Sequence, residues 1–266
     1  MSHCTRPAAI VRAALPTALC RLPLRGRLPG AALALCLALP GAGLQAAGPL
    51  LVQPAGASDV PAAPWHVVGL PGQTKPITTF AVVNFDGQRV LRIEAQASYG
   101  NLVHAVLEPA QANHRLSWRW RLDEANPISD LRKKEGDDSP VKVCALFDLA
   151  TTAVPFVERQ VLRLARMGSG EILPAASVCY VWDSHLAPGT ALDNVYSRRI
   201  RMIVLRGPET PLHTWVTEQR DVWVDFKRLF SDEADTPPPL VGVAIAGDAD
   251  NTQRHSLAHI STIKLD

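Results

Sequence analysis

The chain has 266 residues, 47% hydrophobic and 20% charged, a globular composition that excludes a disordered or collagenous protein. Five of its 27 Lys plus Arg fall in residues 1–46, which hold no Asp or Glu. The remainder carries 22 basic against 25 acidic residues, a net charge of −3 that gives no basic surface for nucleic acid.

The N-terminus predicts export. Arg6, Arg12, Arg21, Arg25 and Arg27 precede Ala31–Leu39, an apolar run of nine, and PGAGLQA then leads to small residues at Ala46. A basic segment, a short apolar core and a small-residue exit form a secretory signal. It predicts cleavage near Ala47 and a periplasmic or secreted product. A retained anchor fits less well, because Pro29 and Pro40 bound the run and a bilayer span takes about 20 residues. Cys36 lies inside the run rather than after it, unlike a lipidated cysteine. No transmembrane segment is predicted in the mature chain. Removal of the signal takes Cys4, Cys20 and Cys36 and leaves Cys144 and Cys179. In an oxidising compartment these two form either one disulfide or two buried thiols.

Residues 47–75 are predicted as a loose leader, since 48–64 are rich in Pro, Gly and Ala. Residues 76–266 then read as a single domain. Strands are predicted at Thr78–Asn84, Arg89–Glu94, His114–Leu122, Val141–Asp148, Ser177–Trp182, Ile200–Leu205, Thr214–Gln219, Leu240–Ala246 and Ala258–Leu265. The clearest is His114–Leu122, where Leu116, Trp118, Trp120 and Leu122 share one face and Ser117, Arg119 and Arg121 the other. Helices are predicted at Phe156–Ala165 and Val224–Phe230, with a turn at Gly168-Ser169-Gly170. Many strands with one or two short helices predict an all-β fold, a two-sheet antiparallel sandwich of jelly-roll type.

Chemistry-bearing residues cluster in four places. GDADNT at 247–252 offers Asp248, Asp250 and Asn251 as oxygen donors for a structural calcium, or else an Asx-rich turn. Glu135, Asp137 and Asp138 precede a strand and either bind a ligand, supply an acid/base carboxylate or form a solvated turn. Tyr180 and Trp182 share one strand face and are candidates for stacking on a sugar ring or for core packing. Arg119 and Arg121 offer two guanidiniums for a carboxylate or phosphate, or for cross-strand ion pairs. His255 and His259 are four apart; on a strand that separates their Cα atoms by about 13 Å and disfavours a shared zinc. No nucleophile elbow, P-loop or dinucleotide fingerprint occurs.

The segments LSWRWRL (116–122), EGDDSPVKV (135–143), YVW (180–182), RRIRMIVL (198–205), RDVWVDFKRLF (220–230) and VGVAIAGDADNT (241–252) come in an order and spacing that resemble a bacterial secreted family, the domain of unknown function numbered 3047. The resemblance runs over roughly Leu116 to Leu265 and brings no agreed catalytic residues. By analogy it implies a galactose-binding-like jelly roll, a fold used by many carbohydrate-binding modules, and fold does not fix function. The expectation is an exported, non-catalytic module for a glycan-like or other polar ligand. The alternatives are a polysaccharide-acting enzyme using the loop carboxylates and an assembly partner in the cell envelope.

Overall fold

A computed structural model describes residues 51–70, 72–110, 114–169 and 173–266. The predicted export signal, 1–46, lies outside the described residues. Twelve strands form between the loops: β1 (His66–Val68), β2 (Thr79–Phe85), β3 (Gln88–Gln96), β4 (Tyr99–Ala110), β5 (Arg115–Glu124), β6 (Val141–Phe147), β7 (Ala176–Trp182), β8 (Ala191–Asp193), β9 (Ile200–Arg206), β10 (Val216–Asp221), β11 (Leu240–Asp248) and β12 (His255–Leu265). A seven-stranded sheet runs β1-β4-β11-β6-β7-β9-β8, and a five-stranded sheet runs β10-β5-β12-β3-β2. They pack face to face as an all-β sandwich of jelly-roll type, with two helices, α1 (Phe156–Ser169) and α2 (Val222–Phe230). Among the described residues the twelve strands pair antiparallel except β7 with β9, which is parallel.

All nine predicted strands are present, shifted by at most a few residues at their ends. Three strands were not foreseen. β1 and β8 have three residues each, too few for a period. β4 has twelve, but Gly100 and Asn101 follow its first residue, it carries Pro109, and it puts His104 on the core side opposite Val243. α1 runs past Ala165, so Gly168 and Ser169 end a helix rather than lie in a turn. α2 starts earlier because the Asp221 carboxylate caps the Trp223 and Val224 amides, at 3.1 and 3.0 Å.

Of the predicted leader, the described residues 51–70 and 72–75 include packed ones. β1 pairs with β4, and Leu51 and Trp65 are buried. The Trp65 indole donates to the Val52 carbonyl at 2.6 Å, and Arg89 holds the Gly56 carbonyl at 2.8 Å. Proline and glycine here shape a packed irregular segment instead of an unstructured one.

The core is aromatic. From β5, Trp118 and Trp120 point at the seven-stranded sheet. Trp118 meets Tyr180 at 5.2 Å between ring centroids, and Trp120 meets Trp182 at 5.6 Å. Phe147, Phe226 and Phe230 continue this layer under α2. Two of the buried polar tips find partners: Tyr180 donates to Asp225 at 2.8 Å, and Trp120 to Glu218 at 3.1 Å, whereas the buried Trp118 indole N–H has none.

On the opposite face of the seven-stranded sheet, Cys144 and Cys179 stand directly across β6 and β7 and are joined by a disulfide, S–S 2.07 Å. The bond closes a loop of 35 residues, which in the chain-entropy account stabilises the fold by about 3–4 kcal/mol. Urea unfolding of the Cys144→Ala/Cys179→Ala double variant is expected to show that loss. A change below about 1 kcal/mol would mean that the unfolded chain is not constrained by the bond.

Candidate ligand cleft

The seven-stranded sheet carries a cleft of about 540 Å³ on the face turned away from the core. Its floor is built by outward residues of five adjacent strands: Val103 on β4, Ala244 on β11, Cys144 and Leu146 on β6, Ser177 and Cys179 on β7, and Ile200 on β9. Most of these side chains are small, and the sulfurs lie together, so the floor sits low between its margins. Val68, Gly69 and Leu70 after β1, with Tyr99 and Asn101, form one margin. Asn194, Val195, Tyr196, Ser197 and Arg198 form another, and α1 contributes Val161, Leu162 and Ala165. The floor is thus mainly aliphatic, and hydrogen-bonding groups stand at the rim. Among the lining residues Glu158 is the one acid, and it is ion-paired with Arg199 at 2.6 Å.

Beside the cleft, the two acidic loops meet. Asp138 is fully buried; its carboxylate accepts from the amides of Asn251 and Thr252 at 3.1 and 2.8 Å and from the Thr252 hydroxyl at 2.5 Å. Asp248, the last residue of β11, accepts from the Ser139 amide and from the Lys142 ammonium at 2.6 Å. Asp250 pairs with Lys75 at 3.2 Å. The Asn251 amide donates to the Asp137 carbonyl, and its oxygen accepts from the Tyr196 hydroxyl at 3.2 Å. Asp137 accepts from Asn194 at 2.6 Å, which links this clasp to the cleft rim. Burial raises Asp137 above the ordinary carboxylate value, against the pull of Lys142 and Asn194. Burial also pushes Asp248 up to about 6, with Lys142 pulling the other way. On Lys142 itself, burial is outweighed by Asp248 and Asp137, and its pKa lies above the ordinary lysine value.

This geometry bears on the alternatives that the sequence left open. Tyr180 and Trp182 are 0% and 1% exposed, and pack between the sheets rather than against a sugar. Asp138 is a clasp between loops and offers no oxygen to a ligand. For calcium, Asp248 has committed its oxygens to Ser139 and Lys142, so a cation would have to displace the ammonium. Among the described residues, no group of three or more His, Cys, Asp or Glu is placed to hold a metal ion. Arg119 and Arg121 lie on the outer face of the other sheet, over Trp215 at 4.9 Å and Phe85 at 4.6 Å. Arg121 is also paired with Asp123 at 2.7 Å. The His259 Nδ1–H donates to that same Asp123, whereas His255 pairs with Glu124 and Glu94, so the two histidines face different acids.

Of the residues singled out from sequence, Cys144 and Cys179 line the cleft floor, and none of the ligand or metal candidates does. Tyr196, 57% exposed, and Asn101 do. The signal that could have found them is local: an aromatic beside amide and basic residues in Asn194–Arg199, and Tyr99-Gly100-Asn101 at a strand start.

No helix of the described residues is long and apolar enough to cross a membrane. Comparison with curated proteins gives no match. Among solved structures the chain is similar to the endoglucanase cel12A from Rhodothermus marinus, with 11% identity, TM-score 0.39, and 76% of this chain and 96% of that one covered. It is similar to a family 11 carbohydrate-binding module from Clostridium thermocellum, with 9% identity, TM-score 0.34, and 77% and 89% covered. The xyloglucanase domain of NopAA from Sinorhizobium fredii matches with 8% identity, TM-score 0.39, and 77% and 99% covered. Residues 63–264 match the family described as "Protein of unknown function (DUF3047)", and the chain belongs to that family.

Proposed function

We propose that the protein is an exported, non-catalytic binding module that takes a glycan-like ligand in the cleft of the seven-stranded sheet. The observation that carries this reading is the distribution of chemistry in the cleft: an aliphatic floor with amide, hydroxyl and guanidinium groups around it. A sugar ring has the complementary form, with CH groups on its faces and hydroxyls at its edge, and binding sites in general combine apolar lining with a few placed polar groups. Tyr196 and Asn101 meet the hydroxyls, and Val103, Ala244 and the disulfide lie under the ring. Against catalysis stands the state of the carboxylates. Glycoside hydrolysis uses two carboxyl groups about 5–10 Å apart across the bond. The cleft lining has one, ion-paired, and Asp138 and Asp248 are locked in the clasp.

A glycan array probed with the wild type, Ala165→Phe and Tyr196→Ala tests the proposal. Phenylalanine at 165, on the half-buried wall of α1, fills the cleft without touching the sandwich core. A set of glycans bound by the wild type and weakened about tenfold or more by both variants is expected, on the scale of one lost stacking or hydrogen-bonding group. No glycan bound, or binding that ignores both substitutions, overturns the reading. Release of reducing ends from a bound glycan replaces binding by catalysis.

A further inference from the structure

α1 is amphipathic in the reverse sense. At about 100° per residue, Phe156, Val157, Val161, Leu164 and Met167 fall on one half of the helix. Glu158, Arg159, Leu162, Arg163 and Arg166 fall on the other. In a helix packed on a sheet the apolar half faces inward. Here Arg159 turns inward to the Val154 carbonyl at 3.0 Å and Arg166 to the Leu173 carbonyl at 2.9 Å. Leu162 is buried between them. The apolar half is left in solvent: Phe156 is 70% exposed, Val157 72%, Val161 62%, Leu164 69% and Met167 83%. No other element carries five large apolar side chains so exposed among the described residues.

We propose that this face of α1 docks on an anionic lipid surface. Charge selects the occupant. Of the helix's three arginines, Arg159 and Arg166 turn inward and Arg163 faces solvent, and its one acid, Glu158, is paired with Arg199 at 2.6 Å. Arg163 is exposed and lies at the edge of the apolar half, beside Phe156. An apolar stripe flanked by arginine, on a helix of low overall hydrophobicity, is the pattern of helices that lie in the plane of the headgroup layer. The rest of the chain from residue 47 is net acidic, and Arg163 is an exposed cation on the border of the apolar face. The exposed half carries Gln160 as its one polar side chain, which gives a protein partner little to recognise by hydrogen bonding. Val161 belongs both to this face and to the cleft wall. Docking therefore brings the cleft mouth to the level of the lipid headgroups. The inference goes beyond the cleft's ligand and stands without it, since Val157 and Leu164 do not line the cleft.

Flotation with vesicles tests it, using the mature chain, Val157→Glu/Leu164→Glu and Arg163→Glu. The substituted positions are exposed, and unchanged melting temperatures verify folding. The wild type is expected to bind phosphatidylglycerol-containing vesicles about tenfold or more tightly than vesicles of phosphatidylcholine alone, with binding falling as salt rises. The double variant is expected to lose that binding, and Arg163→Glu to weaken it severalfold. Glycan binding in the double variant should match the wild type. Absence of vesicle binding, or equal binding by wild type and double variant, overturns the proposal. So does light scattering that shows a dimer abolished by the double variant without any vesicle binding, which assigns the face to a second copy of the chain.

Discussion

Trp182→Ala is expected to lower the free energy of unfolding by about 3–5 kcal/mol, the usual cost of deleting a large aromatic from a sealed core. The indole is 1% exposed and packs 5.6 Å from Trp120 across the two sheets. Its removal opens a void that neighbouring strands, fixed by ladders on both sides, fill only in part. Urea unfolding monitored by far-UV circular dichroism measures the loss. Trp182→Phe keeps most of the volume and should cost less than half as much, so the pair of variants remains informative if the alanine form does not fold. A loss below about 1 kcal/mol for alanine is incompatible with a place between the sheets.

The second large effect depends on pH. Lys142→Met removes the ammonium that sits 2.6 Å from the buried Asp248. At pH 8 the unfolded chain ionises this carboxyl, so the folded variant either buries a lone carboxylate or takes up a proton, and the loss of Lys142 is expected to cost about 3–5 kcal/mol. Near pH 4.5 the cost is expected to be much smaller. Burial already holds the Asp248 carboxyl at about 6 in the native protein, against an ordinary value of 3.8. Without Lys142 it is held higher still, so at low pH the group is neutral and needs no partner. The sign follows from the raised value. The folded state keeps the proton more tightly than the unfolded chain, so this group's stabilising contribution is full below pH 3.8 and lost as pH rises through about 6. Urea unfolding of wild type and Lys142→Met at pH 8 and pH 4.5 gives the comparison. Adding Asp248→Asn should recover much of the loss at pH 8. Equal losses at both pH values would show that the two groups are not coupled.

Sheet membership was legible wherever one strand face met the core and the other met water. β5 shows this: Trp118 and Trp120 alternate with Arg119 and Arg121, and each set lies where the period placed it. β7 shows the limit. All seven of its residues, Ala176–Trp182, are buried, because the second sheet covers one face and other residues of the chain cover the other. Alternation then separates Tyr180 and Trp182 from their neighbours without saying which set faces the core. The same loss of contrast hides β4, whose outward side is cleft floor rather than open surface. The acidic loops were visible as composition, but their function as a clasp was not. Asp138 and Thr252 are 114 residues apart in sequence, and nothing in either loop names the other. The cleft rim escaped for a related reason: its residues are ordinary loop residues until five strands bring them around one floor.

The order of strands also dictates when the fold can exist. β11 lies between β4 and β6, and β12 lies between β5 and β3. Both are interior to their sheets, yet both come after every other strand in the chain. A polypeptide emerging from its N-terminus therefore carries four unsatisfied strand edges until Leu240–Leu265 is released. Before that point the five-stranded sheet exists only as two separate pairs, β10 with β5 and β3 with β2, and two-stranded units are marginal in water. Closure of both sheets thus waits for one late segment of the chain. The protein therefore remains without its sandwich throughout most of its synthesis.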